Sequence, residues 1–234
     1  MASVCKEWQV FIEQRNFRRL KLHAPCLIEF ERLMQCPRRR RLVRYICLDV
    51  QLPEYSCGLC GSGNYQFMRA QNSSIVSNAI LKLFRILSTW EPRPEPETRG
   101  KLTLELNAHS PSDWKHCHKN WHFAPDHETG VANSRSSSSW HDPQHGWVNG
   151  RQVKDPPFLA VMQQFLCINL NCEDELPLLE VVTTFIIRRQ LRRGMGRYSL
   201  TSLLKKLPGL EDLIYEPWQE RNCYSKAIRD MGAY

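Results

Sequence analysis

Two hydrophobic periods alternate along this chain. Ala2 to Glu13 places Val4, Trp8, Phe11 and Ile12 on one helical face, and "FRRLKL" then sets Phe17, Leu20 and Leu22 as a strand would. "APCLIEFERLMQCP" brings Leu27, Phe30, Leu33 and Met34 at helical spacing, Pro37 follows its end, and "LVRYICLDVQL" is a β-rich run. "SSIVSNAILKLFRILSTW" gives a strong helical stripe of Ile75, Ala79, Ile80, Leu83, Phe84 and Leu87, and "KLTLELNAHS" alternates Leu102, Leu104 and Leu106. "PPFLAVMQQFLCINL" opens on proline, as helices often do, and leads to "LLEVVTTFIIRRQ". In "YSLTSLLKKLPGLEDLIYEPW", Ser199 is a candidate cap, Leu200, Leu203, Leu204 and Leu207 form the stripe, and Leu210, Leu213 and Tyr215 begin a strand.

Helix, break and strand thus recur five times. A unit of that size cannot bury its own apolar face and needs neighbours to stack on. The expected fold class is α/β: a leucine-rich-repeat-like solenoid of helix–strand units, with strands near Leu20, Tyr45, Leu104, Phe185 and Leu213 side by side in one sheet. The same alternation also suits a doubly wound sheet. Two stretches break the pattern. "WEPRPEPETRG" reads as a stiff surface loop, and residues 109–157 form a long irregular insertion whose tryptophans (Trp114, Trp121, Trp140, Trp147) are expected in part to pack back on the body.

A chain of 234 residues with 42% hydrophobic residues can bury a sizeable core. No apolar run reaches the length of a membrane span, and Lys6, Glu7, Glu13 and Arg15 stand where a secretory leader would be apolar. The expectation is a soluble protein of cytoplasm or nucleus, with its ten cysteines reduced. The net charge of +8 is concentrated in Arg38 to Arg41 with Arg44, and in Arg188, Arg189, Arg192, Arg193 and Arg197. Neither cluster is interleaved with an aromatic stacking platform, so a solvated rim is favoured over a nucleic-acid site.

Catalytic chemistry has no foothold: there is no phosphate loop after a strand, no nucleophile elbow and no paired histidine motif on a helix. Asp49, Glu105, Glu180 and Glu211 read as lone, solvated carboxylates on or beside strands. "CGLC" (Cys57, Cys60) and "HCHKNWH" (His116, Cys117, His118, His122) carry zinc-ligand residue types, yet their separation suits no compact finger. Neither a metal nor any other cofactor is expected.

The opening "VCKEWQVFIEQRNFRRLKL" resembles the tail of an F-box, and "FRILSTWEPR", "LTLELNAHSPSD", "VVTTFIIRRQLRRG" and "SLTSLLKKLPGLEDLIYEPW" are similar to segments of the large group of F-box proteins from filamentous fungi. The resemblance implies an F-box C-terminal remnant plus first strand over 1–22 and a leucine-rich-repeat-like domain over 23–234. The "Leu-Pro" segment and two further helices that begin an F-box have no counterpart after Met1, so a truncated module is expected. Val4, Cys5, Trp8 and Phe11 would be what remains of the side facing a Skp-type adaptor and its cullin complex, with Trp8 and Phe11 covering the first strand instead. The implied function is a non-enzymatic substrate-recognition subunit of an SCF-type ubiquitin ligase; the alternative is a basic nucleic-acid-binding protein with a zinc knuckle. Arg188, Arg189, Arg192, Arg193 and Arg197 are the expected rim for an acidic protein target.

Overall fold

In the computed structural model, residues 6–56, 58, 65–91, 101–113, 115, 117, 145–148, 151–157, 160 and 167–216 are described. Helix α1 (Lys6–Arg18) runs directly into strand β1 (Arg19–His23). A 3-10 turn (Ala24–Cys26) opened by Pro25 leads to α2 (Leu27–Leu33), and a second proline starts the short α3 (Pro37–Leu42). Then come β2 (Tyr45–Gln51), the long α4 (Tyr65–Leu87), β3 (Leu102–His109), the short strands β4 (Trp147–Val148) and β5 (Arg151–Gln152), β6 (Val182–Ile187), α5 (Arg197–Lys205) and β7 (Asp212–Tyr215).

Strands β1, β2, β3, β6 and β7 form one sheet in that order, and every neighbouring pair is parallel. The five strands expected from the sequence therefore lie side by side in chain order. A doubly wound sheet would reverse its strand order at a switch point, and this one does not. Strand alternation sorts the side chains cleanly. On one face Leu22, Ile46, Leu48, Leu104, Leu106 and Phe185 join Leu27, Phe30, Ile80, Leu83, Phe84, Leu87 and Leu203 from the helices in a single apolar cluster. The other face carries Lys21, His23, Tyr45, Asp49, Glu105 and Asn107, placed by the same alternation and register.

Three serines tie the last helices to the chain that approaches β6. The hydroxyl of Ser73 accepts from Asn169 N at 3.0 Å, that of Ser77 from Asn171 N at 3.1 Å, and that of Ser199 from Leu170 N at 2.8 Å. Ser199 is thus inside α5 and not its cap: Gly196 takes that position, and the Ser199 hydroxyl donates to Glu173 at 2.7 Å. A Cβ at Gly209 would stand 2.5 Å from the Glu180 carbonyl oxygen, so glycine is needed where the chain turns into β7 past residue 180.

One boundary and one packing contact differ from expectation. Phe17 belongs to the last turn of α1, not to the strand, because the Arg39 guanidinium packs 5.5 Å over its ring and holds it against α3. Trp8 and Phe11 do not cover β1. Each is 61% exposed, and they stack on each other, edge to face at 6.5 Å. Val4 and Cys5 lie outside the described residues.

The start of the insertion packs on the body through Ser110, Ser112 and Asp113, and Cys117, His145 and Trp147 are buried as well. Gly146 has φ of 73° and accepts from Val153 N at 2.7 Å, a close turn in which a Cβ would meet the Lys154 carbonyl oxygen at 2.6 Å. Trp114, Trp121 and Trp140 fall outside the described residues, as do Cys57, Cys60, His116, His118, His122 and most of the helix expected after Pro157. Among the described residues no helix is long and apolar enough to cross a membrane.

Candidate recognition face

The polar face of the sheet is built around two carboxylates. Asp49 stands near the C-terminal end of β2, with β1 on one side and β3 on the other. Its carboxylate is 3.3 Å from Lys21 Nζ, accepts from Asn107 Nδ2 at 2.9 Å and lies 3.0 Å from His109 Nδ1. His23 Nδ1 sits 3.1 Å from the Asp49 carbonyl oxygen. Burial alone would raise the Asp49 pKa. The hydrogen bond and charge of His109, with Lys21 beside them, outweigh it and bring the value down to about 2.

Glu105, one strand over, is the second centre. The Tyr45 hydroxyl donates to its Oε2, and Arg188 Nε donates to the same oxygen at 3.3 Å. The Arg19 guanidinium lies 4.5 Å over the Tyr45 ring, so the Tyr45 side chain is held from both sides. Burial, together with the neighbouring Glu105 charge, pushes the Tyr45 hydroxyl well above its ordinary range. Asp49 and Glu105 are therefore not the solvated carboxylates expected from the sequence. Alternation turns both outward, and basic groups on the flanking strands close over them: the Asp49 side chain is 2% exposed and that of Glu105 12%.

The arginines after β6 divide. Arg189 and Arg197 are exposed, and Arg188 is half-buried on Glu105 with Glu216 at 3.9 Å. Arg192 and Arg193 are not on a rim. Arg193 is 1% exposed and clamps Asp113 through both terminal nitrogens, at 2.7 and 2.6 Å. Asp113 also accepts from Ser110 N at 2.8 Å and from the Tyr55 hydroxyl at 3.4 Å, while Arg192 Nη1 donates to its carbonyl at 3.1 Å. The pairing holds Asp113 below the usual carboxylate range against the opposing effect of its burial. Asp113 balances Arg193 and Glu105 balances Arg188 within the protein, while Glu211 binds Lys101.

Among the described residues no group of three His, Cys, Asp or Glu side chains could hold a metal ion. The arrangement is a set of fixed charges and hydrogen-bonding groups on a rigid sheet, with half-exposed Lys21, His23, His109 and Arg188 around its buried centres. Sequence reasoning missed Lys21, His23, Tyr45, Asn107 and His109. The signal that finds them is strand alternation read for its polar positions. No protein-family model, no curated protein and no solved structure matches the chain.

Proposed function

We propose that this chain is a non-enzymatic protein-recognition module, a solenoid-like array of helix–strand units that resembles the substrate-recognition subunit of an SCF-type ubiquitin ligase. One observation carries the reading. An all-parallel sheet ordinarily packs layers on both faces, whereas this sheet keeps an apolar core on one face and a pre-arranged ionic set on the other. Side chains already locked by Asp49 and Glu105 lose little freedom when a partner docks, which favours specific recognition. The exposed Trp8 and Phe11 on α1 supply a second, separate surface, the one that the F-box resemblance assigns to a Skp-type adaptor. The nucleic-acid alternative loses ground, because Arg192 and Arg193 of one basic cluster point inward.

The test has two arms. Purified chain is mixed with a purified Skp-type adaptor and examined by gel filtration; co-elution that disappears in Trp8→Ala/Phe11→Ala supports the adaptor half, and separate elution removes it. Partners crosslinked in extract are mapped by mass spectrometry. Crosslinks centred on Lys21 support the sheet face, and crosslinks confined to Lys205 and Lys206 on the helical side overturn it.

A further inference from the structure

The chain order brings a second set of arginines together, at the opposite end of the sheet from those that follow β6. Arg15 and Arg18 lie one turn apart on α1, and Arg19 opens β1 directly opposite Tyr45. Arg44 N donates to the Arg18 carbonyl at 3.0 Å, and Arg44 Nη1 donates to the Arg41 carbonyl at 2.8 Å, so the end of α3 is stitched to the end of α1. Arg38 reaches Glu13 of α1 at 3.3 Å, and Arg39 shares that carboxylate at 3.0 Å. Arg15, Arg18, Arg19, Arg38 and Arg41 are exposed. Among the described residues Arg15, Arg18 and Arg41 have no carboxylate partner, and Glu13 is shared by two guanidinium groups.

We propose that this corner, where α1, α3 and the start of the edge strand β1 meet, binds an extended acidic segment of a partner protein. The proposal deepens the protein-recognition reading and rests on it. Planar guanidinium forks pair bidentately with carboxylates, and these forks come from three elements held together by the hydrogen bonds of Arg44 to the Arg18 and Arg41 carbonyls and by Glu13. Clustered like charge creates a field that draws an acidic ligand from beyond contact distance, screened over about 8 Å at physiological salt. Carboxylates are favoured over a nucleic-acid strand because the two rings that these arginines meet, Tyr45 and Phe17, are already covered and offer no face to a base. The Tyr45 ring is covered by Arg19 at 4.5 Å and the Phe17 ring by Arg39 at 5.5 Å. The site differs from the arginine rim expected after β6, where Arg192 and Arg193 are spent inside the protein.

The test is fluorescence anisotropy with the full chain and three labelled probes: a twelve-residue peptide alternating Glu and Ser, its Gln counterpart, and a twelve-base-pair DNA duplex. The expected result is binding of the Glu peptide alone among the peptides, weakened at least tenfold by Arg18→Glu/Arg41→Glu and by less than twofold in the control Arg189→Glu/Arg197→Glu. Circular dichroism melting of both variants should match wild type, since all four side chains are exposed. Failure of the Glu peptide to bind, equal losses in the two variants, or a duplex bound more tightly than the peptide would each overturn the proposal. None of these outcomes touches the adaptor and crosslinking arms, so failure here leaves the recognition reading standing.

Discussion

Removing the Asp113 carboxylate should be among the most damaging single changes outside the apolar core. In Asp113→Ala the Arg193 guanidinium stays inside with its two hydrogen bonds of 2.7 and 2.6 Å gone. Ser110 N loses its acceptor as well. Breaking a buried pair from one side costs about 3–5 kcal/mol, because an uncompensated charge remains in a poorly solvated place. For a chain of this size each kcal/mol moves the midpoint by roughly 2–4 °C, so melting should fall by about 6–20 °C. The double variant Asp113→Leu/Arg193→Met should recover most of that loss, since an apolar pair of similar volume leaves no stranded charge. Urea denaturation of wild type, Asp113→Leu, Arg193→Met and the double variant closes the cycle. A loss under about 1 kcal/mol for Asp113→Ala, or a double variant as unstable as the sum of its singles, would refute the argument. The pH dependence follows the same logic. The Asp113 pKa is lowered in the fold, so its stabilisation is complete above the ordinary carboxylate range and disappears as pH falls below it.

Further outcomes follow from single contacts. With a folded pKa of about 2, Asp49 contributes stability that is full above about pH 4 and lost between pH 4 and 2, about 2 kcal/mol in all; urea curves across that range should be flatter for Asp49→Asn than for wild type. Leu104→Asp buries a charge at a position with no exposure and should cost more than about 4 kcal/mol, read as loss of a cooperative transition. Ser199→Ala strands Leu170 N and should cost about 1–3 kcal/mol by chemical denaturation, with faster amide exchange at residue 170.

The strands were the most legible part of the sequence. Leu102, Leu104 and Leu106 alternate without interruption, and β3 is the longest strand of the sheet. The α4 stripe was equally plain: Ala79, Ile80, Leu83, Phe84 and Leu87 are all buried. Where sequence reasoning fell short, the deciding contact lay far along the chain. Arg193 and Asp113 are 80 residues apart, and no local period marks two side chains that meet from the start of an insertion and from the segment after β6. The polar face was hidden for a related reason. Asp49 reads as solvated until Lys21 and His109 arrive from flanking strands, and Glu105 until Tyr45 and Arg188 do. The Phe17 boundary was lost to tertiary packing, since its place in α1 depends on Arg39 in a later helix.

A sheet assembled in chain order has a consequence for how the protein is made. As the chain leaves the ribosome, β1, β2 and β3 can each dock on a finished neighbour, so the growing edge needs no rearrangement. The exception falls between His109, where β3 ends, and Val182, where β6 begins. At synthesis rates of about 5–20 residues per second, β3 stays an uncovered edge for roughly 4–15 s before its partner emerges. Throughout that delay the backbone N–H and C=O groups along the free edge of β3 are offered to any other strand in the vicinity, and Asp113 waits for the guanidinium that closes over it. Nascent-chain aggregation should therefore peak during translation of this interval, and shortening the interval should protect the newborn protein more than it changes the stability of the finished one.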